Sequence, residues 1–214
     1  DGSWTASDTA LFEINGWATD NDNYIKVYTA SAARHSGKWD YSKYRMTYNG
    51  SVISIYEDYA KIDGIQAQIN AAGSAEHAIN ITSLTAGRNK TEISNNIVKG
   101  IYSGVGPSGC GISGGTITTN LLYAYNNIIT GITTGGWPGI GTYGILYAYN
   151  NTLYDNSIGI FVQTGGFGKL KNNLVASTTD PFRFDGTTMG GTGNNATGIS
   201  DTPGVTDNLF NQNF

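Results

Sequence analysis

The sequence predicts an all-β chain wound as a single-stranded solenoid of parallel strands, a β-helix, and three observations carry that prediction. First, a segment is written almost identically twice, as Leu122-Tyr123-Ala124-Tyr125-Asn126-Asn127 and as Leu146-Tyr147-Ala148-Tyr149-Asn150-Asn151, offset by 24 residues. Weaker copies flank the pair, at Glu92–Ile97 and at Lys169–Leu174. Aligning Ile62, Ile93, Ala124, Ala148 and Leu170 gives spacings of 31, 31, 24 and 22 residues, and self-similarity at a near-fixed period marks repeat architectures. Second, each copy alternates and is bounded by Asn, Gly or Ser, which is a strand pattern. Third, a unit of 22–24 residues is too short for a strand plus a crossover helix, which takes about 30 residues, and it suits one coil of stacked strands.

The elements follow in order. Residues 1–50 hold two or three strands (Ala10–Trp17, Asn23–Thr29, Tyr44–Tyr48) and a loop at Arg34–Asp40. They read as a first coil with a cap over one end, because an uncovered terminal coil exposes N–H and C=O groups that template further strands. Residues 51–177 read as the coils proper. Within them Leu122, Ala124 and Asn126 share the inward face while Tyr123 and Tyr125 point outward, since strand side chains alternate. The next copies place Leu146, Ala148 and Asn150, then Leu170 and Asn172, inside, with Lys169 and Lys171 outside. Asn95, Asn126, Asn150 and Asn172 therefore read as a stacked asparagine ladder, whose amides satisfy buried turn backbone groups. Residues 178–214 lose the repeat and read as an irregular C-terminal cap or tail. The Gly-rich runs 104–115, 131–144 and 186–193 read as loops, and Trp137-Pro138 as an exposed hydrophobic tip.

These features resemble the right-handed parallel β-helix proteins of the pectate-lyase-like group. The residues that carry the resemblance are the Asn-Asn-Ile/Leu turns at 95–97, 126–128 and 172–174 and the Gly-Ile steps at 100–101, 131–132 and 159–160. It covers roughly Ser51 to Ser177. The stretch Arg34–Arg45 is also similar to a segment near the start of secreted bacterial β-helix repeat proteins. The resemblance implies right-handed winding, which agrees with the general crossover preference. It implies no single activity, because coils of this kind carry unrelated functions.

Composition narrows the function. Charged residues make up 13% of the 214, against 30 glycines and 14 tyrosines, a balance suited to an extracellular or cell-surface, bacterial β-rich protein. A net charge of −4 argues against nucleic acid or an anionic membrane as partner. Cys110 is the single cysteine and excludes an intramolecular disulfide. No apolar run approaches the 18 residues of a membrane span, and a chain beginning at Asp1 without a leader is expected of a processed form. With two histidines and one cysteine, a His/Cys metal site is not expected.

Two groups of side chains carry candidate chemistry. The outward stripe Lys61, Glu92, Tyr123, Tyr147, Lys169 runs beside a second, Asp63, Ser94, Tyr125, Tyr149, Lys171. Stacked tyrosines next to lysines suit either an assembly surface or a sugar platform on which lysine pairs with uronate. The resemblance implies a substrate along such an outer sheet, served by acidic Ca²⁺ ligands and a basic catalytic residue. Here Asp63 and Glu92 fall short of the 6–8 oxygens that cation takes, so no cofactor is expected outside a lyase. The second group is Arg34, His35, Lys38, Trp39 and Asp40, with His35 as a general base oriented by Asp40 and Trp39 stacking on sugar. The leading expectation is a non-enzymatic, extracellular structural β-helix that self-assembles into a homo-oligomer or polymer through Tyr123, Tyr125, Tyr147, Tyr149, Trp137 and the C-terminal tail. The alternative is a polysaccharide lyase, hydrolase or glycan binder using Lys169, Lys171, the tyrosines and Arg34, His35 and Asp40.

Overall fold

The computed structural model describes residues 4–71, 76–82, 90–102, 109–176, 178–188 and 192–197. They form seven successive coils of three strands. Coil one holds β1 (Phe12–Ile14), β2 (Ile25–Tyr28) and β3 (Met46–Tyr48); coil two holds β4 (Ile53–Ile55), β5 (Ala60–Asp63) and β6 (Gln66–Ala71). Coil three holds β7 (Ile79–Ile81), β8 (Lys90–Ser94) and β9 (Ile97–Tyr102); coil four holds β10 (Ile112–Ser113), β11 (Leu121–Tyr125) and β12 (Ile128–Thr130). Coil five holds β13 (Pro138–Thr142), β14 (Ile145–Tyr149) and β15 (Thr152–Tyr154); coil six holds β16 (Ile158–Val162), β17 (Phe167–Lys171) and β18 (Leu174–Ala176). Coil seven holds β19 (Asp180–Phe184), β20 (Thr187–Thr188) and β21 (Ala196–Thr197). Equivalent strands stack into three seven-stranded sheets, and every pairing is parallel. The fold is a right-handed parallel β-helix. Among the described residues the one helical turn, Ser31–Ala33, is 3-10.

Each sheet sends a long column of apolar side chains inward. In the first sheet Phe12, Ile53, Ile79, Ile112, Ile140, Ile160 and Phe182 are register partners from coil to coil. In the second sheet the column is Val27, Ile62, Ile93, Ala124, Ala148 and Leu170, so the alignment read from the repeat is the register of the fold. The third contributes Met46, Ala67, Val98, Ile129, Leu153 and Val175. β-branched residues dominate because they fill a pleated surface at little rotamer cost.

The asparagine ladder sits one residue later than the alternation implies. Asn95, Asn126, Asn150 and Asn172 take φ of 54–56°, in the left-handed region, and they face outward. That reversal turns the following residue inward, so the buried ladder is Asn96, Asn127, Asn151, Asn173 and Asn195. Each inner amide bonds the next along the stack, as in Asn127 Nδ2 to Asn151 Oδ1 at 3.1 Å and Asn151 Nδ2 to Asn173 Oδ1 at 2.9 Å. Each also donates to a carbonyl of the preceding coil, Asn151 Nδ2 to Ala124 O at 2.9 Å. The outer asparagines bond more sparsely, Asn172 Nδ2 to Asn150 Oδ1 at 3.1 Å and Asn126 Nδ2 to Asn95 Oδ1 at 3.3 Å. Asparagine is among the few non-glycine residues that tolerate this φ, which explains the doubled Asn.

Two other expectations change. The repeat runs past 177: β19 pairs with β16 and β21 with β18, and residues 198–214 of the expected tail lie outside the described residues. The Gly-rich stretches contain strands β10, β13 and β20, because glycine lets neighbouring coils approach where a side chain would collide. A Cβ on Gly111 would lie 2.7 Å from Gly139 O in the next coil. For the same reason Trp137-Pro138 is no exposed tip. Pro138 is buried, Trp137 packs against the core, and its ring meets the edge of His77 at 5.9 Å and 74°.

At the N-terminal end, residues before β1 lie along β3. Asp8 bridges to Met46, with Asp8 N–H donating to Arg45 O at 2.9 Å and Thr47 N–H to Asp8 O at 2.8 Å. Among the described residues, β1 and β2 have a strand partner on one side only.

Candidate functional site

The outer face of the second sheet gathers most of the expected residues, because strands in register repeat the same outward positions from coil to coil. Tyr123 and Tyr147 stack nearly parallel, ring centroids 4.7 Å apart and 5° between planes, and Tyr149 tilts at 56° against Tyr147. The stack runs along the helix axis, since these two residues are register partners in adjacent coils. Their π-faces are turned on one another, and edges and hydroxyls point outward. Lys90 Nζ sits 5.5 Å from the Tyr123 centroid. A parallel column of Leu121, Ile145 and Phe167 borders the tyrosines.

Ion pairs crowd the N-terminal half of this face. Lys90 Nζ lies 2.9 Å and Lys61 Nζ 3.8 Å from Glu92 Oε1, and the bond to Glu92 raises the Lys90 pKa. Asp63 receives Arg34 through two nitrogens at 2.7 and 3.3 Å, Lys26 at 3.3 Å and Asn95 Nδ2 at 2.9 Å. Burial pushes the Asp63 carboxyl up, but Arg34, Asn95 and Lys26 together hold it below the usual carboxylate range. At the other end, Lys169 and Lys171 have no carboxylate within 4.0 Å among the described residues. The face thus carries Lys26, Arg34, Lys61, Lys90, Lys169 and Lys171 against Asp63 and Glu92, net positive on a chain of net charge −4.

The Arg34–Asp40 loop is held in place by its own contacts with the coils. It folds from coil one down over coils two and three. The Arg34 guanidinium lies so close to Gly64 that a Cβ there would be 2.4 Å from Arg34 Cζ. His35 Nδ1 accepts the Gly37 N–H at 3.2 Å, so Nε2 carries the proton and donates to Asn95 O at 2.9 Å. Burial lowers the His35 pKa, the Asn95 carbonyl opposes this, and Arg34 adds to it. Asp40 does not orient His35. Its carboxylate accepts from the Ser42 N–H at 2.8 Å and the Ser42 hydroxyl at 2.6 Å, which holds its pKa down. Its backbone meets Gln66, N–H to Oε1 at 2.6 Å and Nε2 to the Asp40 carbonyl at 2.9 Å. Trp39 stands edge-on to Tyr41 at 6.2 Å, with Lys99 Nζ 5.7 Å from its ring. The loop is a strap, and both nitrogens of its histidine are engaged in holding it.

The two candidate groups do not converge. Arg34 docks on coil two and His35 on coil three, whereas Lys169 and Lys171 lie on coil six. Three to four strand spacings separate them, about 14–19 Å along the axis, beyond hydrogen-bond reach of one reacting centre. Among the described residues no group of three or more His, Cys, Asp or Glu is placed to hold a metal ion, and no helix is long and apolar enough to cross a membrane. Sequence reasoning missed Lys26 and Lys90 on this face. Lys26 sits one 35-residue coil before Lys61, a spacing the repeat obscured, and Lys90 begins a strand read as starting later. Compared with protein-family models, with curated proteins and with solved structures, the chain matches none.

Proposed function

We propose that this protein is a non-catalytic, extracellular or cell-surface β-helix that binds acidic polysaccharide along the outer face of its second sheet. The observation that carries this reading is the charge asymmetry: six basic side chains and two carboxylates share one flat face of an otherwise acidic chain. From Lys26 in coil one to Lys171 in coil six the face extends about 24 Å, which suits an extended polyanion better than a small ligand. The stacked tyrosines favour contact through edges and hydroxyls rather than ring faces. The non-catalytic reading draws support from three of the candidate catalytic groups, since Arg34, His35 and Asp40 are each bonded into the strap, while Lys169 and Lys171 stand three to four coils away from them.

Affinity electrophoresis through gels containing polygalacturonate or hyaluronate tests the proposal. Retardation that fades with salt and shrinks in Lys169→Ala/Lys171→Ala supports it, whereas wild-type mobility unchanged by either polymer at low salt overturns it. Appearance of new reducing or unsaturated ends on prolonged incubation would overturn the non-catalytic part.

A self-assembling structural subunit is the second reading, favoured by the one-sided pairing of β1 and β2. Such an assembly would grow from the coil ends, because two copies of the second-sheet face would oppose positive to positive. Negative-stain microscopy with light scattering across concentration separates the readings: ordered fibres favour assembly, and a monomer at all concentrations removes it.

A further inference from the structure

The exposed large hydrophobics are unevenly placed: Trp4, Leu11, Trp17, Tyr24, Tyr28 and Tyr41 all belong to the first coil and its connections, against five spread over the other coils among the described residues. Trp17, at 66% exposure, and Tyr24, at 44%, stand on the connection between β1 and β2. That connection is held rigid at three points. The Gly16 and Trp17 N–H groups both donate to Glu57 Oε1, the latter at 2.9 Å, and the Thr19 hydroxyl donates to Asp58 O at 2.8 Å. Asp20 closes the rest into a tight turn, its Oδ1 accepting the Asp22 and Asn23 N–H groups at 2.8 and 2.7 Å while its own N–H donates to Asn23 O at 2.9 Å. The backbone that carries these two exposed aromatic rings is fixed by its own contacts, so its share of the ordering cost is met before any ligand arrives.

Trp17, Thr19, Asp22, Asn23 and Tyr24 line one open recess. The Asp22 carboxylate has no hydrogen bond or ion pair to another described residue. Tyr24 also borders a second, smaller recess with Tyr59, Lys61, Lys90 and Glu92, and Lys61 Nζ covers its ring at 3.8 Å. The first recess is therefore continuous with the N-terminal end of the cationic face. We propose that it is a subsite for an uncharged pyranose unit, flanking the acidic stretch of the polysaccharide that the sheet face binds. An aromatic ring covers the apolar face of a sugar, and a free carboxylate accepts its hydroxyl protons. The same carboxylate repels a uronate, which assigns the neutral unit here and the acidic ones to the lysines. This inference rests on the proposed polysaccharide reading, and it can fail separately from it.

Tryptophan fluorescence titrations with three uncharged probes, cellohexaose, mannohexaose and laminarihexaose, run beside polygalacturonate gels, test the subsite. At least one neutral hexasaccharide is expected to bind the wild-type chain. Trp17→Ala and Asp22→Asn are each expected to weaken that binding about tenfold or more while leaving retardation by polygalacturonate unchanged. Lys169→Ala/Lys171→Ala is expected to do the reverse. Circular dichroism and the melting temperature confirm that each variant folds, and the milder Trp17→Phe, which keeps a ring, is expected to retain most of the binding. The subsite is overturned if no neutral hexasaccharide binds, if binding survives Trp17→Ala, or if choline occupies the recess in preference to the sugars. Loss of polygalacturonate binding alone would overturn the sheet-face reading and leave the subsite standing.

Discussion

Replacing Asn151 by alanine isolates what the inner ladder contributes. Its side chain is 1% exposed and makes four bonds: Nδ2 to Ala124 O and to Asn173 Oδ1, both at 2.9 Å, and Oδ1 from the Asn127 N–H and Nδ2, both at 3.1 Å. At a net value of about 1 kcal/mol each, with orphaned buried partners adding to the cost, Asn151→Ala destabilises by about 4 kcal/mol or more. That is a large part of the 5–15 kcal/mol typical of a domain. The neighbouring Asn150 provides the contrast. It holds φ of 54° and accepts one exposed bond from Asn172, and Asn150→Gly satisfies that φ without strain, so it stays within about 1 kcal/mol of wild type. Urea unfolding followed by circular dichroism measures both. Because coils of a solenoid unfold in neighbouring groups, hydrogen exchange at the Asn127 amide should be read in parallel, and its protection is expected to fall in Asn151→Ala alone. Equal costs for the two variants, or a cost under about 1 kcal/mol for Asn151→Ala, would refute the buried-ladder argument.

Other outcomes follow from named contacts. His77 Nδ1 accepts the Cys110 N–H at 2.9 Å, and burial drops its pKa to about 4 from 6.5. A depressed histidine favours the neutral form, so its contribution is complete above pH 6.5 and is lost as pH falls toward 4. The loss is about 3 kcal/mol, and comparing unfolding of wild type and His77→Gln at pH 7 and 4.5 should show the gap closing. Burial pushes the Cys110 thiol up to about 12, so a thiol reagent should label it only after denaturant is added; rapid labelling of the native chain would contradict the burial. Tyr147→Ala removes the ring that stacks on Tyr123 and should cost about 1–2 kcal/mol, while Tyr147→Phe stays within about 0.5 kcal/mol, both measured by thermal melts.

The repeat was legible because stacking demands it. A parallel coil sets each residue above its equivalent, so Ile62, Ile93, Ala124, Ala148 and Leu170 must all be small or apolar, and their spacing shows in one dimension. Strand alternation alone likewise put Tyr123, Tyr147 and Lys169 on one outer column, and the register agrees. Alternation ends where the backbone leaves the extended region. The left-handed φ at Asn126 and its equivalents moved the buried ladder to Asn127, and no side-chain period announces that reversal. Nor could spacing show what a loop reaches. His35 and Asp40 lie five residues apart, yet one bonds coil three and the other Ser42 and Gln66. Sequence alone determined the coil, its inward column and its outward stripes, because these depend on local pattern repeated. Tertiary structure alone decided which charges share the cationic face, which candidate groups stay apart, and that a rigid turn holds Trp17 and Tyr24 beside it, because these depend on contacts between residues tens of positions apart.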